Sequence, residues 1–235
     1  ALKVIASDSF LLLHADRHTL TIQNPQRQAL WHTYAVAPAS GQVFDTTYLA
    51  ATPTAPLEWK AGQALALHWP ITPISDPEVG RRYFQADHRL ELIITPDTVR
   101  NPSGRYPPSF QCQDYYFPSV IRTMGHDGKL LYSYEHREEV LVYDDATGQT
   151  DTVKLSNRFF KANTTFSVPM DAPGYFDQIA RYLIENTRFD HLYYDPYRVR
   201  YYRVMTLPER YEQEAGRVLT VPEQRWVLAV YDTSF

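Results

Sequence analysis

The feature that most constrains the fold is a run of four short apolar segments between Tyr116 and Leu155, separated by turn-forming residues. The sequences Gly-His-Asp-Gly and Asp-Asp-Ala-Thr-Gly-Gln, which stand between the segments, contain residues that tolerate positive φ. Four strands within 40 residues match the size of one four-stranded antiparallel blade of a β-propeller. The predicted strands are residues 116–123, 129–134, 140–143 and 151–155.

A recurring pattern, in which an apolar strand ends in aspartate, favours the same architecture. The aspartates are Asp16, Asp144, Asp195 and Asp232. Each can start a turn, because its side chain accepts a hydrogen bond from the backbone two residues later. The gap between Asp16 and Asp144 leaves room for about three further periods of about 40–45 residues. Since an aspartate after a strand is common in all-β proteins, this pattern alone leaves other all-β folds open.

The rest of the chain also favours strands. The sequence contains 18 tyrosines and only 9 glycines, and aromatic side chains suit a half-buried pleated surface. Many prolines between residues 35 and 105 predict strands that are short or at sheet edges. In that stretch we predict strands at residues 64–69 and 90–94, a loop at 74–83 and a turn-rich connector at 101–108.

One segment departs from the β pattern, with apolar residues at the spacing of a helical face. It predicts a short helix near residues 173–186, packed on the rim between two blades, with Asn186 at its end. The apolar residues are Phe176, Ile179, Ala180, Leu183 and Ile184.

Charge and motifs exclude several functions. The net charge of −4, without a basic run, gives no footprint for nucleic acid. No apolar run approaches the roughly 20 residues of a transmembrane helix, so we expect no transmembrane segment. Cys112 is the only cysteine, which rules out an intrachain disulfide. No nucleotide-binding, zinc-protease or nucleophile-elbow motif occurs, and we expect no cofactor, no metal and no catalytic residue.

Two stretches resemble a known family. The first comprises GKLLYSY at residues 128–134, VLVY at 140–143 and KLSN at 154–157; the second is LYYDPYRVRYYR at 192–203. Both are similar to an uncharacterised family from Bacteroidetes, TolB-like six-bladed β-propeller proteins that carry a domain of unknown function. The resemblance implies a six-bladed ring in a longer, exported and often lipid-anchored chain. It implies no activity, because the family has no agreed catalytic residues.

We therefore expect residues 1–235 to form a single β-propeller domain of four-stranded antiparallel blades. A chain of 235 residues holds only about five blade periods, and residues 226–232 look like the middle of a blade. One explanation is that the N-terminal strand completes the last blade and closes the ring. The blade count favours the other, in which the domain is an incomplete ring, a fragment of a longer chain.

The tyrosine–arginine run supplies the first candidate binding residues, Tyr194, Tyr202 and Arg203. Arg203 is expected to stack on a tyrosine ring or to pair with an acid such as Asp195. One interpretation is a structural ladder between neighbouring strands. The other is an aromatic and cationic platform for a sugar or an acidic group.

Three further candidates, Arg122, His136 and Arg158, border the best-defined blade. The leading hypothesis is a non-enzymatic binding or scaffold propeller in the periplasm or at the cell surface, lipid-anchored in its full-length form. Its partner would be an unknown protein or glycan. The alternative is a hydrolase or lyase that acts on carbohydrate or a lactone at the central funnel of the propeller. The missing motifs favour the first hypothesis.

Overall fold

The structure is a computed structural model of the 235-residue chain. It describes residues 2–6, 9–14, 19–23, 47–50, 52, 54–70, 91–95, 98–107, 110, 119–169 and 171–234. Within these ranges lie fifteen β-strands and one α-helix. Backbone contacts divide the chain into two compact units, residues 1–73 with 82–106, and residues 74–81 with 107–235.

The first unit contains two antiparallel sheets. One has the order β1-β2-β3, and the other has the order β4-β6-β7-β8 with β5 paired to β6. The alternating run at β6 is buried at residues 64–67, as expected of a central strand. The strands are β1 (Leu2–Ala6), β2 (Ser9–His14), β3 (Thr19–Gln23), β4 (Thr47–Ala50), β5 (Glu58–Lys60), β6 (Gln63–Pro70), β7 (Glu91–Ile94) and β8 (Val99–Ser103).

The predicted strands at residues 64–69 and 90–94 are confirmed by β6 and β7. The predicted connector at 101–108 is wrong at its start, because β8 continues to Ser103. Its Pro102 is accommodated because β8 is an edge strand, where a missing backbone N–H is tolerated. The predicted loop at residues 74–83 lies outside the described residues.

The second unit begins with a sheet of four antiparallel strands in the order β12-β11-β10-β9. This sheet confirms the four-stranded prediction between residues 116 and 155. The first strand starts at Val120, later than predicted, and residues 116–118 lie outside the described part. The strands are β9 (Val120–Met124), β10 (Leu130–Tyr134), β11 (Glu139–Asp144) and β12 (Gln149–Lys154).

A second sheet packs face to face on the first. It has the order β13-β14-β15, with β13 at Arg188–Asp195, β14 at Arg200–Thr206 and β15 at Trp226–Tyr231. Alternation along each strand sends every second side chain into the shared core. That core contains Ile121, Leu131, Val140 and Leu155 from the first sheet and its following loop, and Phe189, Leu192, Tyr201 and Met205 from the second.

Three of the predicted aspartate turns are confirmed. Asp144 Oδ1 accepts a hydrogen bond from the Ala146 amide at 2.9 Å, and Asp195 Oδ1 accepts one from the Tyr197 amide at 2.8 Å. Asp232 Oδ1 accepts one from the Ser234 amide at 3.0 Å. These are the local bonds that the residue type predicts. The turn at Asp16 lies outside the described residues.

The single described α-helix, α1 (Tyr175–Glu185), confirms the helix predicted near residues 173–186. Asn186 follows it and donates from Nδ2 to the Tyr182 carbonyl at 2.8 Å. The predicted apolar face is wrong at Phe176, which is 81% exposed. Tyr175 and Tyr182 are buried instead, in a cluster with Phe166, because their rings fill the space beneath the helix.

The described part of the chain is therefore mostly β, with antiparallel sheets, one α-helix and two short 3-10 helices at Glu214–Gly216 and Val221–Glu223. None of its helices has the length and apolar character needed to cross a bilayer.

Candidate functional site

The turn between β9 and β10 is held against the neighbouring sheet by two tyrosines. The His126 backbone amide donates to Tyr201 Oη at 2.9 Å. The His126 side chain places Nδ1 2.6 Å from Tyr194 Oη. Within the turn itself, the Gly125 amide donates to the Lys129 carbonyl at 2.8 Å. The turn is thus fixed both by its own backbone and by the next sheet.

Gly125 allows this close approach. A Cβ atom at this position would lie 2.6 Å from Leu131 Cδ1 and 2.6 Å from Tyr201 Oη. Real Cβ atoms do not come so close to other heavy atoms in a packed interior. Only glycine therefore fits at this position without displacing Leu131 or Tyr201.

Beside this turn lies a partly open cavity of about 190 Å³, which we call the turn cleft. Its walls come from the facing sheets of the second unit. Polar and charged side chains stand at the turn, and aliphatic side chains form the wall behind them. The cleft is lined by His126, Asp127, Lys129, Leu131, Val142, Asp151, Val153, Tyr201 and Thr233.

An ion pair spans the turn, with Lys129 Nζ 2.9 Å from Asp127 Oδ2. Burial acts to raise the pKa of Asp127, but hydrogen bonds from Lys129 and the backbone outweigh it and lower that pKa. The hydrogen bond to Asp127 raises the pKa of Lys129, and the charges of Asp144 and Asp151 act in the same direction. Burial raises the pKa of Tyr201. At neutral pH the cleft therefore holds a charged pair beside a neutral phenol.

Arg203 on β14 holds the end of the β9–β12 sheet that lies opposite the turn cleft. Its guanidinium donates to the carbonyls of Glu138 at 2.9 Å and Arg137 at 2.5 Å, and to Ser133 Oγ at 2.8 Å. Its Cζ lies 3.4 Å from the centre of the Phe189 ring. The side chain is completely buried, and burial lowers the pKa of Arg203 to about 9.

Next to the Arg203 contacts, the β10–β11 turn carries two titratable residues, the buried His136 and the mostly buried Glu135. Burial raises the pKa of Glu135 to about 7, although the positive charge of Arg188 opposes this. Burial also lowers the pKa of His136 to about 4. His136 Nδ1 lies 2.8 Å from Asn163 Nδ2, and its ring meets the edge of Tyr182. This geometry ties the turn to the segment before α1.

These two pKa shifts predict opposite effects of pH on stability. The folded state binds more protons at Glu135 between pH 4.5 and about 7, so this contribution to stability falls as pH rises. The folded state binds fewer protons at His136 between about pH 4 and 6.5, so its contribution rises. We expect Glu135→Gln to be more stable than wild type by about 2–3 kcal/mol at pH 8 and nearly equal at pH 4.5. Urea unfolding at both pH values measures this, and a constant difference would contradict it.

The six predicted binding residues lie in separate places. Tyr194 stands beside the turn cleft through its contact with His126. Arg203 and His136 lie around the β10–β11 turn, at the opposite end of the β9–β12 sheet. The Arg203 contacts differ from the prediction. Its guanidinium stacks on Phe189 instead of on a tyrosine, and Asp195 pairs with Arg198 at 2.7 Å.

The remaining three candidates face away from these groups. Arg122 is buried on the face of β9 opposite the shared core, because its neighbour Ile121 points into that core. Tyr202 is opposite Tyr193 on the outer face of β13–β15. Arg158 is exposed in a loop, with its guanidinium over the Phe159 ring at 4.7 Å. The structure therefore does not bring the six residues together in one site.

Sequence reasoning missed the charged residues of the turn cleft. The sequence places the Gly-His-Asp-Gly residues in a turn and Lys129 and Asp151 in strands, and it does not indicate that they line one cleft. The available signal was the density of ionisable residues around the Gly-His-Asp-Gly turn. Among the described residues, no group of three or more His, Cys, Asp or Glu side chains is arranged to hold a metal ion.

Comparison with known proteins identifies the family. Residues 97–235, more than half of the chain, match the model of a domain of unknown function, DUF4221. The chain belongs to the DUF4221 family. No curated protein sequence matches the chain.

A solved structure of a DUF4221 family member from Bacteroides vulgatus is similar to this chain, with a TM-score of 0.69 and 19% identity. The match covers 96% of this chain and 61% of the Bacteroides protein, so the chain spans less than two thirds of that relative. An auxiliary nutrient binding protein from Bacteroides thetaiotaomicron matches over 96% of this chain and 39% of its own, with 10% identity and a TM-score of 0.40. A TM-score this low does not indicate a common fold.

Proposed function

We propose that this DUF4221 chain is part of a β-propeller that binds a small polar ligand in the turn cleft without transforming it chemically. The observation that carries the proposal is the cleft itself, where a charged pair, a phenol and an aliphatic wall converge on about 190 Å³. Binding sites commonly combine apolar walls with a few placed polar groups. The cleft is smaller than the usual 300–1,000 Å³ of drug-sized sites, which favours a small ligand.

The titration behaviour of the cleft supports binding over catalysis. A general acid or base works best when its pKa lies near the working pH. In the turn cleft the pKa of Asp127 is lowered and that of Lys129 is raised, so both move away from neutrality. Groups with these pKa values hold fixed charges and are suited to orienting a ligand.

A larger propeller accounts for the outer face of the β13–β15 sheet. Trp226, Leu228 and Val230 lie on one side of β15 and are 64%, 49% and 55% exposed. Tyr202 is opposite Val230 and Tyr193 is opposite Tyr202, so both tyrosines continue this face. In a propeller each blade has neighbours on both faces. The proposal therefore includes a TolB-like, six-bladed ring in which residues 1–235 are one portion of a longer domain.

The proposal predicts that Leu228→Lys has different effects in two lengths of chain. In the 235-residue chain we expect a change in unfolding free energy within about 0.5 kcal/mol, because the position is exposed. In a longer natural chain, where a further blade covers the position, we expect a loss of about 2 kcal/mol from burying an unpaired charge. Urea unfolding of both chains measures this. Gln149→Lys on the exposed strand β12 serves as control, and equally small effects in both lengths would contradict the prediction.

A variant that fills the turn cleft tests binding directly. We expect Val153→Phe to weaken ligand binding at least tenfold, because the larger ring occupies the cleft. Thr152→Phe is the matched control, since the neighbouring residue of a strand points to the opposite face. Calorimetric titration of both variants with any ligand found by screening measures the effect. Equal affinity of the two variants would place the ligand elsewhere.

The alternative proposal is a hydrolase or lyase that acts on carbohydrate or a lactone at the central funnel. It is favoured by the raised pKa of Glu135, because strongly shifted carboxyl groups often occur in active sites. Under this alternative Arg122, His136 and Arg158 remain the candidate residues. Incubation with panels of glycosides and lactones separates the two proposals. Turnover that Glu135→Gln abolishes would favour the enzyme, and recovery of unchanged compounds would favour binding.

The cellular setting is also a proposal, supported by the family resemblance. It places the full-length protein in the periplasm or at the cell surface, attached by a lipid, with a protein or glycan partner. Fractionation of the source cells with an antibody against this chain tests the location. Recovery in the cytosolic fraction would contradict it.

A further inference from the structure

The turn cleft has an excess of negative charge. Asp127 and Lys129 neutralise one another through their contact at 2.9 Å. Asp151 adds a second carboxylate, which has no hydrogen bond or ion pair within the described ranges. The negative charge of Asp144 also reaches this site, because it raises the pKa of Lys129 as the charge of Asp151 does. A positively charged ligand is therefore favoured at this site by electrostatics.

The position of Asp151 makes one end of the cleft charged while the rest of that wall is apolar. Leu131 is opposite Val142 in the sheet, and Val142 is opposite Asp151. Directly paired residues point to the same face of a sheet. The Asp151 carboxylate thus stands at the exposed end of a row whose other members are aliphatic. A ligand that lies along this row meets apolar side chains first and a carboxylate at its end.

The facing sheet supplies an aromatic side to the same space. Tyr201 lines the cleft opposite the aliphatic row, and its hydroxyl is fixed by the His126 amide at 2.9 Å. A cation held by the Asp151 carboxylate gains further attraction where it comes within about 6 Å of the centre of the Tyr201 ring, over the ring face. A ligand with a negative charge gains from neither group. A neutral sugar can donate hydroxyl hydrogen bonds to the Asp151 carboxylate, but it lacks the added attraction between opposite charges.

From these three features we infer that the turn cleft binds a small organic cation, a primary amine with a short apolar chain, whose ammonium group contacts Asp151. This inference rests on the proposed binding function and specifies its ligand class. The volume of about 190 Å³ limits the ligand to a small molecule. The apolar chain contacts Val142 and Leu131, and the ammonium group lies at the exposed edge formed by β12.

Four small probes test the ligand class: n-butylamine, n-butanol and n-butyrate, which share one chain length, and the larger, neutral glucose. Amide chemical shifts of the isotope-labelled 235-residue chain are followed at pH 7 during titration with each probe. We expect n-butylamine to shift the amides of residues 125–129 and 150–153 with the lowest dissociation constant. Its binding should weaken as salt is raised from 20 to 500 mM, because salt screens exposed charges.

Two matched variants separate charge from shape. Asp151→Asn keeps the size of the side chain, and we expect it to weaken n-butylamine binding about fivefold, the size of one partly exposed charge pair. Asp171→Asn removes an exposed carboxylate ahead of α1, and we expect no change. Equal affinity for n-butanol or glucose at the cleft, or no effect of Asp151→Asn, would overturn the cation inference and leave the proposed cleft in place. Absence of cleft shifts with all four probes would contradict both.

Discussion

Gly125→Ala is expected to lower the free energy of unfolding by about 2–4 kcal/mol. The added Cβ atom would meet both Leu131 Cδ1 and Tyr201 Oη at 2.6 Å. Leu131 is part of the core between the sheets, so it has little space to move. Displacement of Tyr201 would also break the bond from the His126 amide, which contributes about 1 kcal/mol. Chemical denaturation of wild type and variant measures the loss.

Two controls isolate the steric cause. Gly148→Ala places its Cβ in open space, so we expect only the strain of a φ of 69°, about 1–2 kcal/mol. Tyr201→Phe removes the hydroxyl that meets the new methyl group. In the double variant Gly125→Ala, Tyr201→Phe, we expect a total loss smaller than the sum of the two single losses. Additive losses would show that the turn does not depend on this approach.

The local features of this fold were predictable because their causes lie close together in the sequence. The turns at Asp144 and Asp195 follow from a side chain that bonds the backbone two residues later. The strands β10 and β11 follow from apolar runs bounded by turn residues. The start of α1 and its buried face were harder, since Phe166 decides which side of the helix is covered.

The roles of the tyrosine–arginine run were not predictable to the same extent. Strand periodicity is local, and it places Tyr201 and Arg203 on one face of β14. Their partners are more than sixty residues away in the sequence, at the β9–β10 turn for Tyr201 and the β10–β11 turn for Arg203. No pattern within residues 192–203 indicates those contacts. Lys129 and Asp151 are closer in the sequence, but they lie at β10 and β12, and no local pattern indicates that they line one cleft.

These distant contacts favour a structural role for the run. Tyr194 and Tyr201 hold the turn at one end of the β9–β12 sheet. Arg203 holds the turn at the other end. The run thus fastens the β13–β15 sheet to the β9–β12 sheet at two points. Two separated points of attachment fix the relative position of the two sheets. Its contribution to the proposed binding function is to shape the turn cleft, with Tyr201 as the member that lines it.

Replacement of Arg203 by methionine is expected to give the largest loss of stability of any change considered, about 3–5 kcal/mol. The change removes three hydrogen bonds that the guanidinium donates to Ser133, Arg137 and Glu138. It also removes the stacking on Phe189. Arg203→Lys is expected to lose most of the same stability, because an ammonium group lacks the planar fork that reaches these acceptors and stacks on the ring.

The desolvation of the buried Arg203 guanidinium acts against the predicted loss of stability. No carboxylate pairs with Arg203 among the described residues, and its burial carries a desolvation cost that an apolar side chain would avoid. We expect the lost hydrogen bonds to outweigh that gain, because all three acceptors lie on the hairpin that carries the β10–β11 turn. Arg200→Met, at an exposed position on the same strand, is the control and should change stability by less than about 0.5 kcal/mol. If Arg203→Met unfolds at the same urea concentration as Arg200→Met, the desolvation cost cancels the hydrogen bonds and the fastening role fails.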